Sequence, residues 1–224
     1  MKNETLVVSL GGSTLYAGNK FDTAKAKSIC ATLAKAAKHH ALIVVVGGGP
    51  LARKHVEAIR KKGGNEFHAD IAAIGATHEN ARRISKLLPN SIFITEFKQA
   101  RPLLKKGKII VSGGMIPGIT TDAVSVLFAE LLGAKRVVNV SNVDGVYTAD
   151  PKKNKHARLI KRMTHGQLVA LAVKSDSRKA RENFVFDLVA AKLAARSKIT
   201  VQFSSVKNLA KALLKKSFGG TTVA

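Results

Sequence analysis

Three short glycine clusters, each set directly behind a run of aliphatic residues, constrain this chain more than any other feature of its sequence. Gly11-Gly12-Ser13 follows the run at 5–10, Gly47-Gly48-Gly49 follows 41–46, and Gly113-Gly114 follows 108–112. Runs of this length without polar alternation read as buried strands, at home in a parallel sheet covered by helices. Helical patterns alternate with them: 22–38, a segment opening at Pro50, and 122–132 with Asp122 as its N-cap. A further strand is expected at 91–95 and another at 136–140, followed by 143–147 opening a hairpin around Asp144-Gly145. Helices at 165–173 and 187–196, a strand at 199–203 and an amphipathic helix at 207–215 complete the series. This alternation predicts an α/β fold, a three-layer αβα sandwich with a mostly parallel central sheet. The 224 residues fit a single domain, and the polar, basic stretch 152–161 marks a boundary between two lobes near residue 140.

In such sheets ligands collect beyond the carboxyl ends of the strands, where these glycines stand. Without a Cβ, backbone N–H groups approach an anion closely, and a following helix adds its positive end. Together the loops are suited to several phosphates. Each helix end contributes only about 0.3–1 kcal/mol, so a triphosphate also needs cations. Taken singly, each cluster is equally well a tight turn. Neither a Gly-x-x-x-x-Gly-Lys-Ser/Thr loop nor a dinucleotide Gly-x-Gly-x-x-Gly after the first strand is present, which sets aside the ordinary P-loop and Rossmann readings.

The charge is unusual: 38 Lys plus Arg against 14 Asp plus Glu give a net +24. That balance raises nucleic acid as a partner. The basic residues, however, run from Lys2 to Lys216 instead of forming one stripe, and only 5% of residues are aromatic. A lysine-rich solvated surface that attracts anionic nucleotides is the expected reading. Cys30 is the only cysteine, so no disulfide forms within the chain and a reducing, cytoplasmic setting is expected. The first ten residues are too short an apolar run for a signal or a membrane helix, and the seven histidines show no metal-ligand spacing.

The segment Asn142-Val143-Asp144-Gly145-Val146-Tyr147-Thr148-Ala149-Asp150-Pro151 closely resembles the nucleotide-binding segment of uridylate kinases in the amino acid kinase superfamily. Gly47-Gly48-Gly49-Pro50-Leu51-Ala52-Arg53-Lys54 and Gly113-Gly114-Met115-Ile116-Pro117-Gly118-Ile119-Thr120-Thr121-Asp122-Ala123-Val124 resemble the archaeal type in the same order. The likeness runs from the first glycine loop to Gly220-Thr221-Thr222. It implies a kinase that moves the γ-phosphoryl of ATP onto UMP, with Mg²⁺ accompanying ATP and no protein-held metal. It also implies an acceptor lobe of about 1–135, an ATP lobe of about 136–224, and a hexamer.

Carried over position by position, the resemblance places Ser9, Leu10, Gly11, Gly12, Ser13, Gly49 and Arg53 along the ATP phosphates. Ser141, Asn142, Tyr147 and Asp150 then surround the adenosine end. Tyr147 offers an aromatic face and Asp150 an acceptor; a hairpin tyrosine and a turn aspartate are the plainer alternatives. For UMP the resemblance implies Gly48, Asp70, Met115, Ile116, Pro117, Gly118, Ile119, Thr120 and Thr121, with Asp70 on the ribose. Ala73 and His78 stand where the family usually has glycine and arginine.

A phosphate acceptor is already ionised near neutral pH, so such a transfer needs alignment and charge stabilisation instead of a general base. Many superfamily members place a lysine at the position of Ser9, and bacterial uridylate kinases place one at Asn142; this chain has neither. Asp187 and Lys179 are the catalytic candidates that the resemblance supplies, Asp187 to orient a lysine or a metal-bound water and Lys179 to stabilise charge. A plain helix cap is the other role open to Asp187. Arg181 and Leu188 depart from a usual glycine and proline nearby. Pro50-Leu51-Ala52-Arg53 lacks the histidine of the related isopentenyl phosphate kinases. A non-catalytic relative that binds nucleotide or nucleic acid, or serves as storage, is the reading from a different class.

Overall fold

A computed structural model describes residues 4–151, 153–175, 186–214 and 217–224. In chain order it contains β1 (Glu4–Leu10), β2 (Tyr16–Ala17), β3 (Lys20–Phe21), α1 (Thr23–Ala37), β4 (His40–Val46), α2 (Gly49–Lys61) and α3 (Glu66–Leu87). There follow β5 (Ser91–Phe93), α4 (Ala100–Leu103), β6 (Ile109–Ser112), α5 (Thr121–Leu132) and β7 (Arg136–Ser141). The last part holds β8 (Arg162–Met163), α6 (His165–Ser175), α7 (Leu188–Arg196), β9 (Thr200–Ser205), α8 (Leu209–Leu213) and β10 (Thr221–Val223).

Eight strands form one sheet in the order β5-β6-β4-β1-β7-β9-β10-β8, and β2 and β3 make a separate small hairpin. Every pairing in the large sheet is parallel except that of β10 with β9. Strand alternation divides the core. Leu6, Val8 and Leu10 pack with Ile29 and Leu33 of α1, Ile84 of α3 and Leu213 of α8. Val7 faces the other way, toward Val124 and Phe128 of α5 and Ala190 and Ala194 of α7. A period of two along each strand thus feeds two helical layers, which is the expected three-layer sandwich.

Most expected elements fall within a few residues of their observed bounds; Asp22, for example, caps α1 by accepting from Lys25 N–H at 2.9 Å. Three differences bear on function. Helix α3, 22 residues long, does not stand out in the sequence, because Gly75 interrupts it and Thr77, His78 and Asn80 occupy a face that meets glycine loops instead of aliphatic core. The expected hairpin at Asp144-Gly145 is instead a bend. The antiparallel bridge joins Tyr147 to Leu159, and a Cβ on Gly145 would fall 2.9 Å from Thr221 N, so the glycine serves close packing against β10. Finally, Thr120, not Asp122, caps α5: its hydroxyl accepts from Asp122 N at 3.1 Å and Ala123 N at 3.4 Å.

The register brings the functional loops together. Leu10 pairs with both Val46 and Val140, Val45 with Ser112, and Ser141 with Ser205. Parallel direction therefore sets the glycine loops after β1, β4 and β6 side by side along one edge of the sheet, next to the Asn142 turn after β7.

Candidate active site at the carboxyl edge of the sheet

The first two glycine loops pack backbone against backbone. Gly11 N–H donates to Val140 O at 2.8 Å and Gly47 N–H to Leu10 O at 2.9 Å. Gly49 has φ +57°, and a Cβ there would lie 2.6 Å from the Gly12 carbonyl carbon; a Cβ on Gly12 would strike the Gly47 oxygen. Only glycine permits this approach, which sets the start of α2 on the short 3-10 turn Gly12–Leu15. No side chain caps α2. Its N-terminal N–H groups are open to an anion beside Ser13, whose carbonyl accepts from Asn142 Nδ2 at 3.3 Å.

Helix α3 holds the second and third loops from behind. Asn80, fully buried, donates through Nδ2 to Gly47 O and Gly48 O, both at 3.0 Å, and accepts from the Tyr16 hydroxyl at 2.7 Å. Thr77 Oγ1 accepts from Gly114 N–H at 2.8 Å and donates to Ile74 O at 2.6 Å. His78 Nε2 lies 2.7 Å from Gly114 O, so this nitrogen carries the proton, and burial pushes the imidazole pKa below its usual range. Two turns earlier, Asp70 Oδ2 accepts from Gly118 N–H at 2.8 Å and fastens the 115–121 loop to α3. Of the residues that the resemblance assigned to UMP, Asp70 and Gly118 are thus joined directly, and Ile116 is exposed.

Beneath the loops lies a polar cluster on the α5 side of the sheet. Ser9, two residues from Val7 and on the same strand face, is 2% exposed. Its hydroxyl donates to Asp122 Oδ1 at 2.7 Å, and Asn139, paired in register with Ser9, donates to the same oxygen at 2.7 Å. Asp122 Oδ2 takes no hydrogen bond among the described residues. Burial raises the Asp122 pKa to about 6, and the nearby charge of Asp187 pushes the same way against the two hydrogen bonds. Asp187 caps α7, its Oδ1 accepting from Val189 N at 2.6 Å and Ala190 N at 3.2 Å, while its Oδ2 accepts from the Thr120 hydroxyl. One threonine–aspartate link therefore ties the N-termini of α5 and α7.

Ser9 and Leu10 reach the loop edge by backbone only, since the serine hydroxyl is engaged and the leucine side chain is in the core. Arg53 is exposed at the start of the second turn of α2. Ser141 and Val143 close a small turn through Ser141 Oγ, which lies 3.2 Å from Val143 N. Tyr147 is half-buried; Asp150 begins the next turn, its carbonyl accepting from Asn154 N at 2.9 Å. Lys179 lies outside the described residues. Sequence reasoning assigned no chemical role to Asp122, Asn139 or Asn80. The available signal for Asn139 was its polarity inside the run 136–140, and for Asp122 the Thr-Thr-Asp step, which local capping rules misassigned.

No group of three or more His, Cys, Asp or Glu gathers as a metal cage among the described residues, and none of their helices is long and apolar enough to cross a membrane. The donor chemistry suits Mg²⁺ held jointly with phosphates, since this ion keeps much of its water and takes one or two carboxylates. Asp122 and Asp187 supply two.

The amino acid kinase family model matches residues 4–205. The uridylate kinase of Archaeoglobus fulgidus is 38% identical over 218 residues, covering 96% of this chain and 97% of that protein. That of Thermococcus gammatolerans is 40% identical over 197 residues, 87% of each. The crystal structure of the A. fulgidus uridylate kinase superposes with a TM-score of 0.87 at 36% identity, covering 98% of this chain and all of that one. A UMP kinase structure from Bacillus anthracis, at 21% identity and TM-score 0.81 over 98% of this chain and 95% of its own, shares the fold. With its loops, its sheet order and these relatives in agreement, the chain belongs to the amino acid kinase family, among the archaeal uridylate kinases.

Proposed function

We propose that the chain transfers the γ-phosphoryl of ATP directly to UMP, giving ADP and UDP. The observation that carries this is the convergence of two glycine loops, the open N-terminus of α2 and the Asp122–Asp187 pair at one sheet edge. Backbone N–H groups of 12, 13 and 49, with Arg53, receive the ATP phosphates, while Gly11 N–H holds the loop to Val140 O; Ser141, Asn142, Tyr147 and Asp150 hold the adenosine end. Gly48, Asp70 and the 115–121 loop hold UMP, with Asp70 on the ribose. The UMP phosphate, already ionised, attacks in line and no side chain removes a proton. Asp122 and Asp187 would hold Mg²⁺ through its waters, and the ion supplies charge neutralisation between phosphate oxygens. Lys179 is assigned to charge stabilisation.

The same reading divides the chain into an acceptor lobe of about 1–135 and an ATP lobe of about 136–224, joined by the β1–β7 pairing. It places the enzyme in the cytoplasm, in pyrimidine nucleotide synthesis, as a hexamer. Its test is ADP release from ATP and Mg²⁺ with UMP, CMP, AMP and isopentenyl phosphate offered separately. UMP should give the highest kcat/KM, because the loop 117–122 resembles a uridylate acceptor loop. A higher value with isopentenyl phosphate would reassign the chain within the superfamily, and ADP release independent of any acceptor would remove the kinase reading.

A further inference from the structure

The fold collects at one edge lysines that the sequence scatters. In the parallel stretch β5-β6-β4-β1-β7-β9, every strand but β1 is entered from a helix, and each such crossover sets lysine at the amino edge of the sheet, opposite the glycine loops. Lys38 stands before β4, Lys86 before β5, Lys105 and Lys108 before β6, Lys135 before β7 and Lys198 before β9, all of them exposed. Backbone hydrogen bonds join neighbouring turns into one surface: Gly107 N–H donates to Ala37 O at 3.2 Å, Ile109 N–H to Asn90 O at 3.2 Å, and Thr200 N–H to Lys135 O at 3.0 Å. Among the described residues only Glu4 and Glu130 bring carboxylates to this edge, and each already meets an arginine, Arg136 at 3.4 Å and Arg196 at 2.8 Å. The lysine ion pairs of the described residues, Lys61–Glu57 and Lys98–Glu96, lie elsewhere.

A cation at a helix carboxyl end is favourable, which accounts for Lys35, Lys86 and Lys211 in the last turns of α1, α3 and α8. It does not account for Lys105, Lys106, Lys108, Lys135 or Lys198, which stand in turns beyond the helices. A row of uncompensated like charges costs free energy, and a partner of opposite charge and matching length recovers it. From β5 to β9 the edge spans about 24 Å at the ordinary strand spacing. Duplex nucleic acid carries one negative charge per roughly 1.7 Å of axis, so a duplex laid along the edge offers about fourteen phosphates over that length. The chemistry of the row selects backbone over bases. Its unpaired cations are lysines, point charges without the planar fork that reads guanine, while Arg101, Arg136 and Arg196 are engaged by Leu131 O, Glu4 and Glu130. None of the exposed large apolar side chains lies at this edge, so unpaired bases find no stacking platform there.

We propose that the amino edge of the sheet is a docking surface for the phosphate backbone of duplex nucleic acid, independent of base sequence. Lys105, Lys106 and Lys108 on one turn form its centre, and Lys86 and Lys38 flank them on the crossovers to the neighbouring strands β5 and β4. The surface lies at the other end of the strands from the glycine loops, so the chain holds a duplex and its nucleotide substrates at once. Duplex DNA and duplex RNA present the same phosphate chemistry here.

Fluorescence anisotropy of the full chain with labelled duplexes of two unrelated sequences, each made as DNA and as RNA, tests the surface without reference to turnover. Both sequences should bind alike, binding should weaken steeply with added salt, and saturating ATP and UMP should change the affinity by less than about twofold. Lys105→Glu/Lys106→Glu/Lys108→Glu should lose about tenfold or more in affinity and flatten the salt dependence by about one slope unit per lysine. Lys38→Glu/Lys86→Glu, on the flanking crossovers, should show a loss of the same kind and serves if the triple variant melts early. Lys153→Glu/Lys155→Glu/Lys161→Glu removes as much charge from the 152–161 stretch, and its duplex affinity should stay within about threefold of the parent. Tighter binding of DNA or of RNA assigns the source, equal binding assigns the shared backbone, and each of these supports the surface. The proposal is overturned if the 152–161 variant loses as much as the edge variants, since the net +24 alone would then explain binding, or if saturating nucleotides release the duplex. It is equally overturned if single strands bind more tightly than duplexes, or if the chain binds phosphatidylglycerol vesicles and no duplex.

Discussion

Asp122 combines three conditions seldom met by one carboxylate: it is desolvated, it accepts two side-chain hydrogen bonds on one oxygen, and it feels a second carboxylate nearby. Its pKa of about 6 in the fold stands above the ordinary 3.8. Between these values the folded protein takes up a proton that the unfolded chain does not. The stability that Asp122 contributes is therefore fully present below 3.8 and lost as pH rises through about 6. Asp122→Asn keeps an oxygen toward Ser9 and Asn139, so its unfolding midpoint should lack this fall between pH 4 and 6 that the parent shows; thermal melts across that range measure the difference. Of the two roles that the sequence left open for Asp187, the structure gives the cap of α7, with the Thr120 hydroxyl on the second oxygen, and the catalytic role is a proposal that substitution tests. Asp187→Asn should melt within a few degrees of the parent, because asparagine caps as well, yet lose about a hundredfold in kcat in steady-state assays. Normal turnover would return Asp187 to capping alone. Ser9 shows why residue roles were only partly legible: its place in the chain was plain, but whether its hydroxyl met a ligand or a neighbour depended on Asp122, 113 residues away.

At the level of elements, the glycine loops do their work through backbone contact, and α3 through Asn80. Gly49→Ala forces an alanine to φ +57° and places its Cβ 2.6 Å from the Gly12 carbonyl carbon. The strain of a left-handed residue alone is about 1–2 kcal/mol, and the clash adds to it. Calorimetry should show ATP binding nearly lost, with a lowered melting temperature. Asn80→Ala takes from Gly47 O and the Tyr16 hydroxyl the partner shown for them, at about 1–3 kcal/mol for each group that stays dry, while Gly48 O keeps Ala52 N–H. Denaturant unfolding should register the sum, and the acceptor KM should rise as the loop loosens. Strands β1, β4, β6 and β7 were legible because unbroken aliphatic runs ended at glycine or polar turns. Helix α3 was not, because its inner face is spent on Thr77, His78 and Asn80, and a helix that holds loops by hydrogen bonds lacks the apolar stripe that marks a helix in sequence. The bend at Asp144-Gly145 was hidden for a similar reason. Its local composition suits a hairpin, while the partner that decides it, Thr221, donates a hydroxyl to Ile160 O at 2.6 Å and accepts Val146 N–H at 2.8 Å.

For the whole molecule, composition raised a net charge of +24 and the resemblance implied a hexamer. Phe67 and Ile71 stand one turn apart on the outer side of α3, 60% and 49% exposed. Apolar side chains so placed fit the proposed self-association. Phe67→Lys together with Ile71→Lys should shift sedimentation toward a smaller species, and an unchanged distribution would exclude this face from the assembly. The order of the sheet also fixes an order of events during synthesis. Strands β1, β4, β5 and β6 are adjacent in space and all lie before residue 113, so they can pair while the remainder is still being translated. Strand β8, in contrast, has β10 as its only neighbour in the sheet, and β10 is made almost sixty residues later. Until it emerges, the short strand β8 has no partner in the sheet, whereas β9 can already pair with β7, and the half of the sheet that begins at β7 matures after the other, one strand at a time, from the centre outward.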